Sequence, residues 1–97
     1  MKVSPIIIVI FGGAGDLTWR KLIPSLFDLH RDGRMPKQFA IIASDRIAMS
    51  DAALHQRLLG GVKTFARKGN FKSADWKNFS SRITYQQDFR LNIRDRK

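Results

Sequence analysis

Residues 6–18 read IIIVIFGGAGDLT, an apolar run rich in β-branched residues that ends in a glycine turn. An uninterrupted apolar run of this length, bounded by glycine, is typical of a strand buried on both faces of a parallel sheet, whereas a buried helix would be longer. Apolar residues at helical spacing continue from Asp16 to His30, which predicts an amphipathic helix on the sheet. The stretch therefore predicts a strand, a tight turn and a helix.

The residues that follow predict a βαβ unit. Pro24 is tolerated only in the first turn of a helix, so we expect an irregular turn over residues 16–22 and a main helix from about Ile23. Gly33 ends this helix. A second buried strand, residues 39–43, comes next. Because such crossovers are right-handed in about 98% of cases, the glycine turn and the end of the second strand lie at one rim of the sheet, where ligands bind.

The second half of the chain predicts two further helices and a third strand. Ser50 is a sound N-cap for a helix that runs to about Lys68, and the glycine pair at 60–61 is a weak point inside it. Residues 73–79 predict a short helix, and residues 81–86 predict a strand. The expected fold class is α/β: a partial Rossmann-type (βαβαβ) parallel sheet with helices on its faces.

We expect one folded unit over residues 1–88, followed by a basic tail over residues 89–97. The tail is polar and lacks periodicity, so we expect it to be frayed. Three parallel strands with two or three helices leave a sheet edge and one face uncovered. We therefore expect marginal stability, self-association, or association with the remainder of a longer chain.

The composition indicates a soluble globular chain, for which a cytoplasmic location is expected. Of the 97 residues, 43% are hydrophobic and 27% are charged, and the absence of cysteine excludes disulfides and thiolate metal sites. The early apolar run is far shorter than the roughly 20 residues that a membrane span needs, and it lacks the pattern of a secretory signal. No membrane partner is expected.

The formal net charge is +10, with most of the positive excess in residues 51–97. Such a charge attracts anions, and the candidates are a dinucleotide, a sugar phosphate, nucleic acid or an acidic partner surface. A small basic nucleic-acid-binding module is the main alternative function, because cations surround two aromatic residues that could stack on bases. These residues are Lys63, Arg67, Lys68, Phe71, Lys72, Trp76 and Lys77. The aromatics fit a helix's buried face equally well and no nucleic-acid motif is present, so no nucleic acid is expected.

The glycine turn has the context of a dinucleotide-binding fingerprint, because it joins a predicted strand to a predicted helix. Gly12 would permit the tight turn, and Gly15 would let the backbone approach a pyrophosphate that faces the helix N–H groups. The spacing is Gly-x-x-Gly, not Gly-x-Gly-x-x-Gly. A turn with a purely geometrical role is therefore the open alternative.

Residues 16–26 read DLTWRKLIPSL, and here the chain resembles the glucose-6-phosphate dehydrogenase family. That family opens with Gly-x-x-Gly-Asp-Leu-[Ala/Thr]-x-[Arg/Lys]-Lys-Leu-x-Pro. The match continues without gaps to Arg46 and is looser beyond Ser50. The resemblance implies the N-terminal NADP-binding segment of an enzyme that oxidises D-glucose 6-phosphate to 6-phosphogluconolactone in the pentose phosphate pathway. The family's catalytic histidine lies much further along the chain, so we expect this segment alone to be inactive.

The resemblance assigns roles to individual residues. The pyrophosphate turn is carried over onto Gly12, Gly13, Ala14, Gly15, Asp16 and Leu17. Arg46 corresponds to the family arginine that contacts the adenosine 2′-phosphate, where a planar guanidinium can bond two phosphate oxygens. The alternative for Arg46 is a solvated loop arginine.

Asp45 departs from the family, which has a small residue at this position. An acid at a strand end can bond ribose hydroxyls in NAD-preferring folds. It would repel a 2′-phosphate unless its side chain points away. We therefore expect NADP as the cofactor, with NAD tolerated.

Lys21 matches a family lysine that helps to hold the sugar phosphate, and glucose 6-phosphate is the partner this implies. The alternative is an exposed lysine at a helix start. Trp19 replaces a polar residue of the family, and it either covers the cleft or packs on the surface. His30 and His55 have no carboxylate or second histidine at ligand spacing, so both are predicted to be surface histidines and no metal site is expected. A non-catalytic phosphosugar- or nucleotide-binding protein is a further alternative.

Overall fold

The computed structural model describes residues 4–66 and 71–87, which form a three-stranded parallel sheet with helices between the strands. The elements are β1 (Ile6–Phe11), a π-helical turn (Thr18–Leu22), α1 (Ile23–Arg31), β2 (Phe39–Asp45), α2 (Asp51–Phe65), α3 (Ser73–Ser80) and β3 (Ile83–Gln87). The strand order is β1-β2-β3. This architecture confirms the α/β class. The predicted tail, residues 89–97, lies outside the described residues.

The register of the sheet fixes the rim at which the glycine turn sits. β1 pairs with β2 from Ile6 opposite Phe39 to Phe11 opposite Ser44. β2 continues one residue further, and Asp45 pairs with Gln87 of β3. The carboxyl ends of β1 and β2 therefore lie side by side, as the right-handed crossover predicts.

One hydrophobic core joins the helices to one face of the sheet. Phe27 of α1, Leu58 of α2, Phe79 of α3 and Ile41 of β2 are all fully buried in it. Burying each such side chain contributes about 1.5–3 kcal/mol relative to exposure. The ring of Phe27 meets that of Phe79 edge-on at 5.3 Å between centroids. The core thus holds every helix on the same side of the strands.

The opposite face of the sheet is bare among the described residues. Ile7, Val9 and Phe11 of β1 are 69%, 48% and 69% exposed. The prediction that the first strand is buried on both faces is therefore wrong for this chain. β1 is an edge strand whose inner row alone, including Ile10, packs on the helices.

The predicted irregular entry into the first helix is confirmed. A π-helical turn precedes α1, which begins at Ile23 with Pro24 in its first turn, so the widened turn lies where Pro24 lacks an N–H. Gly33 follows the helix with a φ of +74°, the left-handed conformation typical of a helix end. α2 is capped as predicted, because the Ser50 hydroxyl accepts a 3.0 Å hydrogen bond from the N–H of Ala53. Within the two described ranges, no helix has the length and apolarity to cross a membrane.

Candidate functional site

The glycine turn crosses the end of β2. Gly12 has a φ of +78°, which strongly favours glycine. The N–H groups of Gly12 and Gly13 both donate to the Ser44 carbonyl at 2.8 Å. A Cβ on Gly13 would lie 2.5 Å from the Cβ of Ala43, so glycine is required there by close approach. Backbone hydrogen bonds and this close approach therefore anchor the turn to β2.

The helical segment that leads through the π-helical turn into α1 begins immediately after Gly15. The Gly15 N–H donates to the Gly12 carbonyl at 2.9 Å, and the buried Thr18 hydroxyl donates to the same oxygen at 3.0 Å. The first backbone helical bond runs from the Trp19 N–H to the Gly15 carbonyl at 3.2 Å. The N–H groups of Asp16 and Leu17 precede it, have no acceptor within the helix, and lie on exposed residues at the positive end of the helix dipole. They can therefore donate to an anion such as a pyrophosphate.

Asp45 links the glycine turn to the end of β2. Its Oδ2 accepts a 2.9 Å hydrogen bond from the Ala14 N–H, and its Oδ1 accepts a 2.8 Å bond from the Arg46 N–H. The carboxylate therefore points toward the rim and does not point away from it. Sequence reasoning singled out Asp45 but missed this bond to Ala14, which depends on the tertiary approach of two segments distant in the chain.

Arg46 is exposed and directly follows β2. Its N–H donates to Asp45, and its carbonyl accepts a 2.9 Å hydrogen bond from Nε2 of Gln87. The backbone at this position is therefore held on both sides. Its guanidinium forms no ion pair with any described residue. The residue is thus exposed at the rim.

Lys21 lies beside an open groove on the side of the π-helical turn. The groove has a volume of about 380 Å³. It is lined by Arg20, Lys21, Pro24, Ser25, Asp28 and Phe65. Arg20 also pairs with Asp16 at 3.1 Å, which connects the groove to the first residue after the glycine turn. Two cations, a hydroxyl and the carboxylate of Asp28 thus line one groove, which the Arg20–Asp16 pair joins to the residue after the glycine turn.

A comparison with protein-family models identifies the family of the chain. The model described as "Glucose-6-phosphate dehydrogenase, NAD binding domain" matches residues 9–96. The chain belongs to this family. Membership agrees with the interpretation of the glycine turn as a dinucleotide site and does not support the nucleic-acid-binding alternative.

Relatives in the glucose-6-phosphate dehydrogenase family are similar over most of the chain. Glucose-6-phosphate 1-dehydrogenase of Treponema pallidum (strain Nichols) is 40% identical over 83 residues, which cover 86% of this chain and 16% of the relative. The enzyme of Leuconostoc mesenteroides is 41% identical over 59 residues, which cover 61% of this chain and 12% of the relative. The chain therefore spans less than a fifth of these dehydrogenases.

Solved structures of the family have the same fold. A glucose-6-phosphate dehydrogenase in complex with its substrate glucose-6-phosphate matches with a TM-score of 0.73 and 33% identity, over 86% of this chain and 17% of that structure. The enzyme of Mycobacterium avium matches with a TM-score of 0.75 at 23% identity, over 89% of this chain and 18% of that structure. The Rossmann-like arrangement of the dehydrogenase family is thus present here.

Trp19, which departs from the dehydrogenase family pattern, packs on α2. Its ring meets Phe65 edge-on at 5.2 Å, and the Arg57 guanidinium lies 5.6 Å from its ring centre. A Cβ on Gly61 would lie only 2.8 Å from Trp19 Cδ1. Trp19 therefore packs on the surface of the helix, the second of the two alternatives. Gly61, predicted to be a weak point, is what permits the contact.

The prediction that both histidines are ordinary surface residues is wrong. His30 is half-buried, with its ring 5.5 Å from those of Phe39 and Phe79. His55 places Nε2 2.8 Å from the Ile83 carbonyl oxygen of β3. Both histidines therefore brace helices against the sheet. In the described parts of the chain, no three potential ligand residues cluster as a metal site would require.

The aromatic residues behind the nucleic-acid hypothesis belong to the core. Trp76 is 8% exposed, and its ring lies 5.7 Å from that of Phe27. Phe71 meets Phe27 edge-on at 5.0 Å. The alternative that the aromatics form the buried face of a helix is therefore confirmed for Trp76 of α3. Phe71 precedes that helix and packs half-buried against the core.

Proposed function

We propose that the chain is the NADP-binding part of a glucose-6-phosphate 1-dehydrogenase, an enzyme that oxidises D-glucose 6-phosphate to 6-phosphogluconolactone in the cytoplasmic pentose phosphate pathway. The observation that carries the proposal is the shared rim. It brings the backbone turn at Gly12, the exposed N–H groups of Asp16 and Leu17, and the exposed residue Arg46 to one edge of the sheet.

The residues of the turn fit a linked pair of phosphates. No atom lies within 4 Å of a Cβ built on Gly12, so space is open above the backbone. Donors at the start of a helix favour negative charge at this point. The proposed role of the chain is to bind and orient the coenzyme. Holding the coenzyme in a fixed orientation lowers the entropy cost of its reaction with the sugar. When bound, the nicotinamide would supply the redox chemistry, a hydride transfer from C1 of the sugar.

Arg46 is proposed to bind the adenosine 2′-phosphate of NADP. A guanidinium can form two parallel charge-assisted hydrogen bonds with phosphate oxygens. The two backbone bonds at Arg46 keep its Cα at the rim, so the side chain has a fixed origin from which to reach the ligand.

Lys21 is proposed to bind the phosphate of the sugar substrate. It shares its groove with the cation of Arg20, the hydroxyl of Ser25 and the carboxylate of Asp28, so the cations that line the groove outnumber its one acid. Arg20 also pairs with Asp16, so Lys21 is the cation proposed to meet the sugar phosphate. The general base would come from the remainder of the dehydrogenase, and the chain alone is proposed to be inactive.

Calorimetric titration of the chain with NADP and NAD tests the proposal. Arg46→Ala removes the charge-assisted bonds and is expected to weaken NADP binding by about tenfold to a hundredfold, while NAD binding stays within twofold. Arg34→Ala is the matched control, because Arg34 is an exposed arginine in the loop before β2, at the opposite end of the sheet. Equal losses of NADP affinity in the two variants would reject the role of Arg46.

A further inference from the structure

The carboxylate of Asp45 has a fixed place at the mouth of the candidate coenzyme site. The pairing of β1 with β2 ends at Ser44, so Asp45 is the first residue beyond it. Hydrogen bonds from the N–H groups of Ala14 and Arg46 hold its two oxygens at 2.9 Å and 2.8 Å. In strand-turn-helix dinucleotide sites, the ribose of the adenosine lies at this end of the second strand.

The carboxylate keeps capacity for a ligand. Its two oxygens offer about four lone-pair positions, and the two backbone N–H groups occupy one on each oxygen. The nearby phenol of Tyr85 does not use the others, because it donates to the carbonyl of Ile47. Burial and then the negative charge of Asp45 raise the pKa of Tyr85. One acceptor position on each oxygen is therefore left for a pair of neighbouring hydroxyls.

We propose that Asp45 sets the choice between the two nicotinamide dinucleotides. Its carboxylate binds the adenosine ribose hydroxyls of NAD and opposes the 2′-phosphate of NADP, so the site binds NAD with an affinity close to that for NADP. This inference rests on the proposed coenzyme site. Arg46 and Asp45 are adjacent and act in opposite directions on the same position of the ligand. NADP gains from the arginine and loses from the aspartate, whereas NAD gains from the aspartate alone.

The test compares NAD and NADP by calorimetric titration of the whole 97-residue chain and its variants. The wild type should bind the two coenzymes within about tenfold of each other. Asp45→Ala should weaken NAD and strengthen NADP, which shifts the affinity ratio at least tenfold toward NADP. Asp45→Asn keeps the shape and one acceptor oxygen without the charge, so it should strengthen NADP and weaken NAD less.

Asp51→Asn is the matched control. The Asp51 carboxylate also accepts a backbone bond, from the Tyr85 N–H at 2.7 Å, but it begins α2 away from the glycine turn. This variant should leave the affinity ratio unchanged. Circular dichroism of each variant reports its folding, and Asp45→Asn keeps the test valid if Asp45→Ala unfolds.

Two outcomes would overturn the inference, and they differ. If Asp45 only supports the glycine turn, its variants will weaken NAD and NADP by equal factors, and the coenzyme site will stand without this role for Asp45. If the folded wild type binds neither dinucleotide at millimolar concentration, the proposed function fails and the inference fails with it.

Discussion

The backbone of Trp19 lies directly against Gly61, so closely that a Cβ at position 61 would overlap the Trp19 carbonyl oxygen. Gly60, its neighbour, has only Trp19 Nε1 at 4.0 Å. Alanine is a better helix former than glycine by about 1 kcal/mol. A Cβ would therefore overlap Trp19 at position 61 but would fit at position 60, although both positions lie inside α2.

We expect Gly61→Ala to destabilise the chain by about 1–3 kcal/mol, because overpacking at Trp19 exceeds the gain in helix propensity. Gly60→Ala is the matched control and should be neutral or stabilising. Urea denaturation followed by circular dichroism measures both. A gain in stability for both variants would show that α2 and the π-helical turn are not in close contact.

The two glycines with positive φ allow the effect of backbone strain on stability to be distinguished from an effect on dinucleotide binding. Gly12→Ala and Gly33→Ala should each lower the free energy of unfolding by about 1–2 kcal/mol, because the φ angles are +78° and +74°. An added Cβ would meet no neighbour within 4 Å at either position, so backbone strain is the cause. Only Gly12→Ala should also weaken dinucleotide binding, because only Gly12 lies in the turn. Unfolding and calorimetric titrations of the pair check this. Equal effects on binding would remove the special role of the turn.

The stability of the chain should fall as the pH is lowered below the ordinary pKa of histidine. Burial, followed by the charge of Arg82, lowers the pKa of His30 from 6.5, and a hydrogen bond with Asn78 and the charge of Asp75 only partly oppose this. Below pH 6.5 the unfolded state therefore binds more protons than the folded state. The contribution of neutral His30 to the free energy of unfolding is complete above this pH, and it is lost as the pH falls through the folded-state pKa.

The comparison for this prediction is His30→Phe, which keeps an aromatic ring against Phe39 and Phe79 but does not titrate. The free energy of unfolding, measured from pH 7.5 to 5, should decline less steeply in the variant than in the wild type. Parallel declines would mean that other groups cause the acid sensitivity.

The bare face of the sheet should cause self-association of the isolated chain. Ile7 is 69% exposed on this face, in an edge strand. We expect Ile7→Lys to lower the average mass measured by sedimentation equilibrium. Thr84→Lys, on the exposed row of β3, adds the same charge at a polar position and should have a smaller effect. A wild-type chain that stays monomeric at high concentration and melts sharply above about 60 °C would contradict this prediction.

The features that the sequence predicted well are local. Pro24 and Gly33 place the start and end of α1, because one residue lacks an N–H and the other adopts a positive φ. The glycine turn between an apolar run and a helix predicts the rim. Each inference depends on the conformational limits of a few neighbouring residues, so no distant contact was needed.

The features that it missed depend on tertiary packing. The burial of His30 arises from two aromatic rings that different elements bring together. The bond between Asp45 and Ala14 joins segments that meet only when β1 pairs with β2. The exposure of Ile7 and Val9 reflects the face of the sheet that no described helix covers. An uncovered face was expected of so small a sheet, but the apolar run by itself indicates a strand buried on both faces.

The close approach of Gly13 to Ala43 ties the shape of the proposed coenzyme rim to a fully buried residue of β2. Any side chain larger than alanine at position 43 would push the turn outward, and any at position 13 would do the same from the other side. The two positions therefore have to remain small together. Substitution at position 13 or 43 during evolution is therefore limited by the residue at the other position. Engineering of cofactor choice in this chain has to leave both residues unchanged.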